Sequence, residues 1–155
     1  MKNTSGFLPA AIFRLWVLVY LSFCSADDIR QRSIKPLWAI LTALLSAAAG
    51  LATHTYPLSE YIKVLGFSAI LFAISFASHG AIGYGDCFVI LACGFLTGLS
   101  EEVLCMMAGL VYCAAWSGAM LLLKKAGRKD TLPFVPYLSA GHATIFLAEL
   151  ISFFR

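Results

Sequence analysis

The stretch GYGD at residues 83–86 separates two long apolar runs. An acidic side chain in so apolar a context is energetically costly, and it indicates a functional residue. The two glycines allow backbone angles that a side chain would forbid, and they let another segment approach closely. We therefore expect Asp86 to lie at the centre of a site, with Gly83 and Gly85 shaping the backbone around it.

The composition excludes an ordinary soluble domain. The chain has 155 residues, of which 61% are hydrophobic and 12% charged, whereas soluble domains carry about 25% charged residues. Because the apolar residues are spread along the whole length, we expect one integral-membrane domain, residues 1–155, in contact with the lipid bilayer. The net charge of +3 is modest, and we expect no binding to nucleic acid.

The apolar runs predict an all-α polytopic membrane protein with about six transmembrane helices, because one span needs about 20 apolar residues. The predicted spans are residues 7–25, 36–53, 64–80, 86–99, 103–123 and 137–153. The fourth run is short for a span. We interpret it as a helix whose start lies below the membrane surface, in a cavity lined by protein, where irregular backbone is tolerated.

The basic residues predict the orientation, since cytoplasmic loops of membrane proteins are enriched in lysine and arginine. With six spans, alternate loops share a side, and the basic residues divide seven to three. The larger group, predicted to be cytoplasmic together with Asp86, comprises Arg30, Arg32, Lys35, Lys124, Lys125, Arg128 and Lys129. Both termini are then external. Arg14 interrupts the first span, and we expect it to reach the nearer interface, with the bundle interior as the alternative.

A second pair of acids, Asp27 and Asp28, ends the first apolar run, 58 residues before Asp86. Two carboxylates in a partly desolvated site do not both ionise readily, so one keeps its proton and the pair titrates as a unit. Such a pair can perform general acid–base hydrolysis. The structural alternative is that Asp86 caps a helix, while Asp27 and Asp28 are solvated loop acids that balance Arg30 and Arg32.

The remaining polar residues predict no metal and no cofactor. The five cysteines form no CxxC pair and are interpreted as small buried side chains. No histidine has a partner at metal-ligand spacing. We expect Glu101 and Glu102 to form a solvated turn on the opposite face from the aspartates, and Glu149 to lie near the outer interface. His79 and His142 are expected to be polar tips in helix packing.

Three segments in a fixed order resemble the type IV prepilin peptidase family, which are membrane aspartic proteases of bacteria. These segments are DIRQRSI at residues 28–34, GYGD at residues 83–86 and PFVPYLSAG at residues 133–141. The resemblance covers nearly the whole chain. It implies a catalytic pair formed by Asp28, rather than Asp27, and Asp86. The residues expected to shape the substrate site are Gly83, Gly85, Arg30 and Arg32.

The resemblance implies an aspartic endopeptidase of the bacterial cytoplasmic membrane. Its partners would be prepilin or pseudopilin precursors, whose short basic leader is removed at the cytoplasmic face. We expect a small form, without the cysteine-containing and methyltransferase region of larger members. Two segments depart from the family pattern, at Lys35-Pro36 and at Phe88, and both departures concern the substrate pocket. Two alternatives stay open, namely a presenilin-like GxGD intramembrane protease and a proton-coupled transporter or accessory membrane subunit.

Overall fold

Six α-helices make up the computed structural model, which describes residues 4–31, 36–78, 83–123 and 133–154. No β-strand occurs in these ranges, so the predicted all-α class is confirmed. The helices are α1 Thr4–Gln31, α2 Pro36–Ala52, α3 Leu58–Ala77, α4 Tyr84–Thr97, α5 Leu99–Leu122 and α6 Val135–Phe154.

Two of these helices, α3 and α5, are long and apolar enough to cross a membrane. Two others, α2 and α4, are apolar but shorter. An all-helical chain with these features is consistent with a membrane protein.

Several predicted loop residues are helical instead. Helix α1 continues through Asp27 and Asp28. Glu101 and Glu102 lie in the first turn of α5 rather than in a separate turn. The expectation for these two acids was wrong because acidic side chains are as favourable in the first turn of a helix, near its positive dipole end, as they are in a loop.

Helix α4 lies at the centre of the bundle. Its 14 residues correspond to about 21 Å, well below the thickness of about 30 Å of a bilayer core. It packs against α1, α2, α3 and α5. Its buried residues occupy all sides of the helix and are Cys87, Val89, Ile90, Ala92, Cys93, Gly94, Phe95, Leu96 and Thr97. Protein packing therefore accounts for the apolar character of this short run.

One core cluster joins α1, α4 and α6. Its buried members are Val17, Leu21, Val89, Ile90, Cys93, Leu96, Val135 and Leu138. Val17 and Leu21 share a face of α1, because side chains three or four residues apart lie above one another on a helix. The same face, two turns after Leu21, carries Asp28. Packing of this cluster thus brings the end of α1 and the start of α6 to the first turns of α4.

Glycine permits two close approaches in the second half of the chain. A Cβ atom on Gly141 of α6 would lie 2.4 Å from the carbonyl oxygen of Cys105 in α5, so only glycine allows these helices to cross so closely. Gly98 joins α4 directly to α5 with φ of 80°, a conformation that other residues rarely adopt. The ring of Tyr56 covers Gly98, and its hydroxyl donates to the Thr97 carbonyl oxygen at 2.7 Å.

Candidate active site

Asp28 is buried although its neighbour is not. The residue is 7% exposed, whereas Asp27 is exposed. The difference follows from the helix: adjacent residues point about 100° apart, and only Asp28 continues the stripe that includes Leu21. The structure therefore turns one acid of the pair into the bundle and the other away from it.

The start of α6 holds the Asp28 carboxylate. The N–H of Val135 donates to its Oδ2 atom at 3.2 Å, and the backbone of Phe134 supplies a second hydrogen bond. The first N–H groups of a helix have no partner within the helix and favour a negative charge. Burial raises the pKa of the Asp28 carboxyl above its ordinary value, and these two hydrogen bonds lower it in part. The PFVP segment at residues 133–136 therefore positions the Asp28 carboxylate through its backbone N–H groups.

Asp86 is the third residue of α4, and Gly83 is the N-cap. The Asp86 carboxylate accepts a hydrogen bond from the backbone of Gly83. In a capping box, the acidic side chain at the third helical position bonds to the N-cap residue in the same way. The N–H of Asp86 in turn donates to the carbonyl oxygen of Gly83 at 3.0 Å. The alternative in which Asp86 itself occupies the N-cap position is therefore wrong, although the side chain does help to satisfy the helix start.

Gly83 provides space rather than an unusual backbone angle. Its φ of −63° and ψ of 133° suit any residue, and Gly85 lies within helix α4. The expectation of glycine-specific angles here was wrong; among the described residues, Gly98 is the glycine with positive φ. The lack of a Cβ matters instead, because one placed on Gly83 would lie 3.0 Å from Oδ2 of Asp86.

The two aspartates interact electrostatically. The pKa of Asp86 is raised to about 6, chiefly because burial disfavours the ionised form and secondly because of the negative charge of Asp28. The hydrogen bond from Gly83 acts in the opposite direction. Below about pH 6 such a pair therefore holds one charge more readily than two. Helix packing has thus brought together two carboxyls that lie far apart in the sequence, at helix ends outside α3 and α5.

The other predicted site residues are less involved. Arg30 is exposed at the end of α1, and Arg32 and Lys35 lie outside the described residues. Phe88 is partly buried, and its ring packs edge-on against Phe72 of α3 with 4.7 Å between ring centroids. This departure from the family pattern therefore contributes to packing within the bundle.

Arg14 forms an ion-pair network that the sequence did not predict. Its Nε and Nη2 atoms donate to the two carboxylate oxygens of Glu101, each at 2.6 Å. Its guanidinium also pairs with Glu149 of α6. The expectation that Glu101 is solvated was wrong, and the alternative that Arg14 faces the bundle interior is favoured, since both side chains are about five-sixths buried. The sequence offers one sign of this network: Arg14 and Glu149, which carry opposite charges, each interrupt an apolar run.

Glu102 and His142 form a second, deeper polar contact. Glu102 is 1% exposed, so the expectation of a solvated side chain was wrong. His142 Nε2 lies 3.1 Å from Glu102 Oε2. His142 therefore contacts an acid of α5 in helix packing. His79 lies outside the described residues.

The fold and the site define a class: an all-helical protein with membrane-like helices that brings together a buried and a partly buried carboxyl, each from a separate helix. Comparison with known proteins identifies the family. The profile of the type IV leader peptidase family matches residues 13–125, a range that contains both Asp28 and Asp86. The chain belongs to the type IV leader peptidase family, which confirms the resemblance found in the sequence.

A curated relative supports this assignment. The chain is 27% identical over 140 residues to the prepilin leader peptidase/N-methyltransferase of Bacillus subtilis (strain 168). The alignment covers 89% of this chain and 48% of the relative, so the chain spans about half the length of the relative. No solved structure shows significant similarity to the chain.

Proposed function

We propose that this chain is a membrane aspartic endopeptidase that removes the short basic leader from type IV prepilin-like or pseudopilin precursors. The observation that carries the proposal is the pairing of the buried Asp28 with the partly buried Asp86, in which the charge of the first carboxyl raises the pKa of the second. Membership of the leader peptidase family supports protease activity. The name of the Bacillus relative supports a prepilin-like substrate.

The surroundings of the two carboxyls favour different roles. Asp28 accepts two backbone hydrogen bonds, which stabilise its ionised form, so we assign it as the general base that takes a proton from water. Asp86, with its raised pKa, donates its proton to the carbonyl oxygen of the scissile peptide as the water oxygen attacks the carbon. In the resulting diol the C–N bond then breaks. Asp28 returns its proton to the leaving amine, and Asp86 regains the one it gave.

The proposed location follows from charge and apolar length. All six helices would cross or enter the bacterial cytoplasmic membrane, with the aspartates at its cytoplasmic face. The seven-to-three division of basic residues supports this orientation. A basic leader would be held at the anionic inner surface, where each Lys or Arg contributes about 1 kcal/mol. The apolar helix that follows the leader would then lie in the bilayer beside the enzyme.

The experiment is co-expression of a candidate prepilin with the wild-type chain or with Asp86→Asn, followed by intact-mass spectrometry of the pilin. Asparagine keeps the size of the side chain, so the helix start should survive the change. We expect loss of the leader with wild type only. A cut inside the apolar pilin helix would favour the presenilin-like alternative. Leader removal by Asp86→Asn, at matched membrane expression, would refute the aspartic mechanism.

A further inference from the structure

Three potential metal ligands converge in the interior of the bundle, apart from the aspartate pair. They are Cys93 of α4, Glu102 of α5 and His142 of α6, and their ligand atoms all lie within 4.8 Å of one another. The three residues are 0%, 1% and 5% exposed. Cys93 lies two helical turns beyond Asp86, about 10 Å along α4. The cluster is therefore a separate, fully buried site to which each of three helices contributes one side chain.

The carboxylate in this cluster is only half satisfied. Oε2 of Glu102 lies 3.1 Å from His142 Nε2 and accepts a long hydrogen bond of 3.4 Å from the Thr97 hydroxyl. Oε1 is buried and has no hydrogen-bond partner among the described residues. An unpaired carboxylate oxygen in an apolar interior is costly. A cation bound between the three side chains would supply the missing partner.

The histidine is oriented as a metal ligand. Its Nδ1 atom lies 3.1 Å from the carbonyl oxygen of Leu138, one turn earlier in α6. Because a carbonyl oxygen only accepts hydrogen bonds, this contact places a proton on Nδ1. Metal-binding histidines commonly donate one ring N–H to a carbonyl or carboxylate in this way, which fixes the other nitrogen as the ligand. Here the other nitrogen, Nε2, is the one that faces Glu102.

We propose that Cys93, Glu102 and His142 bind one Zn²⁺ ion that joins α4, α5 and α6. Sulfur, imidazole and carboxylate ligands suit Zn²⁺. A thiolate and a carboxylate balance the two positive charges, so the loaded site is neutral, as an apolar interior requires. Binding displaces the Cys93 thiol proton and any proton on His142 Nε2, and both leave to solvent. Ligand atoms around tetrahedral zinc are about 3.5 Å apart. The His142 and Glu102 atoms are already this close, at 3.1 Å, so the Cys93 sulfur needs to approach them by at most about 1 Å.

The spacing of Cys93, Glu102 and His142 along the chain does not indicate a metal site. No metal was expected because no ligands lie close together in the sequence, whereas these three ligands lie on three different helices. Their meeting depends on the close crossing of α5 and α6, where a Cβ on Gly109 would lie 3.0 Å from the backbone of Leu138. The proposal does not depend on peptidase activity, and its test uses metal binding alone.

The test is metal binding by the purified full chain in detergent. After incubation with Zn²⁺ and removal of excess metal, zinc is measured by mass spectrometry in wild type, Cys93→Ser and the matched control Cys113→Ser. We expect wild type and control to retain one Zn²⁺ per chain. Cys93→Ser should lose about tenfold or more in Zn²⁺ affinity. Added Zn²⁺ should raise the thermal unfolding midpoint of wild type and leave that of Cys93→Ser unchanged.

Loading wild type with Co²⁺ gives a readout that does not depend on the variant folding. A thiolate ligand produces a sulfur-to-cobalt charge-transfer band in the near ultraviolet, together with the visible bands of tetrahedral Co²⁺. Observation of these bands, at stoichiometric Co²⁺, supports the site. Their absence from wild type, or equal zinc retention by a folded Cys93→Ser variant, would overturn the proposal.

Discussion

Replacing Gly83 with alanine should displace the Asp86 carboxylate while leaving the fold intact. The new Cβ would lie 3.0 Å from Oδ2 and 3.5 Å from Cγ of Asp86. Real Cβ atoms avoid such contacts, so the carboxylate must move by a few tenths of an ångström. The backbone has no reason to change, since φ of −63° and ψ of 133° are fully allowed for alanine. The substitution thus perturbs one reacting group and little else.

The expected size of the effect follows from this displacement. A catalytic group misplaced by about 1 Å can cost about 100-fold in rate. For a shift of a few tenths of an ångström we expect a loss of about tenfold in the cleavage rate. The free energy of unfolding should change by less than about 0.5 kcal/mol, as for surface substitutions without special features.

The assay is the initial rate of leader removal from a prepilin substrate by purified enzyme in detergent, together with thermal unfolding of the same samples. Gly66→Ala is the matched control, because Gly66 lies in α3 and a Cβ there meets nothing within 4 Å. This control should cleave at the wild-type rate. A wild-type rate for Gly83→Ala would refute the role of Gly83 as space for Asp86. A large loss of helicity in that variant would show that its backbone matters instead.

Further predictions concern pH, stability and topology. Because burial and the Asp28 charge raise the pKa of Asp86 to about 6 from 3.8, cleavage should decline as pH rises above about 6, when the second proton of the pair is lost. For the same reason ionised Asp86 opposes folding, so the free energy of unfolding should fall by about 3 kcal/mol in total as the pH rises from below 3.8 to above 6. Chemical denaturation should show this dependence reduced in Asp86→Asn. Gly98→Ala should destabilise the chain by about 1 to 3 kcal/mol, because φ of 80° is strained for alanine and Tyr56 lies 3.1 Å from the new Cβ. The control is Gly118→Ala, whose new Cβ meets nothing within 4 Å. Thermal unfolding should show the loss in Gly98→Ala and not in the control. Lys125→Cys, in a chain whose native cysteines have been replaced, should resist a membrane-impermeant thiol reagent in intact cells, and rapid labelling would reverse the proposed orientation.

The helices and the two aspartates could be predicted from the sequence because their signals are local. Long apolar runs indicated six helices, and the GYGD stretch singled out Asp86. The choice of Asp28 over Asp27 came from the resemblance, and helical geometry required only that the two acids point in different directions. The burial of Asp28 follows from its position on the face of α1 that carries Leu21.

The partners of the other charged residues could not be predicted, because they come from distant helices. Arg14 pairs with residues 87 and 135 positions away. Nothing close to Glu102 in the sequence indicates that His142 will cover it. Local pattern favours an exposed turn for two adjacent glutamates, and the packing of α5 against α4 and α6 buries the second one. Helix packing, rather than propensity, decides these positions.

The most direct test of the central claim compares three variants in one cleavage assay: Asp86→Asn, Asp28→Asn and Asp27→Asn. All three change a carboxylate to an amide of the same size, and the last is the matched control because Asp27 is exposed. If Asp28 and Asp86 form the catalytic pair, each of their variants should lose about 100-fold or more in rate, while Asp27→Asn should stay close to wild type. An active Asp28→Asn variant beside an inactive Asp27→Asn variant, with both folded in membranes, would contradict the account.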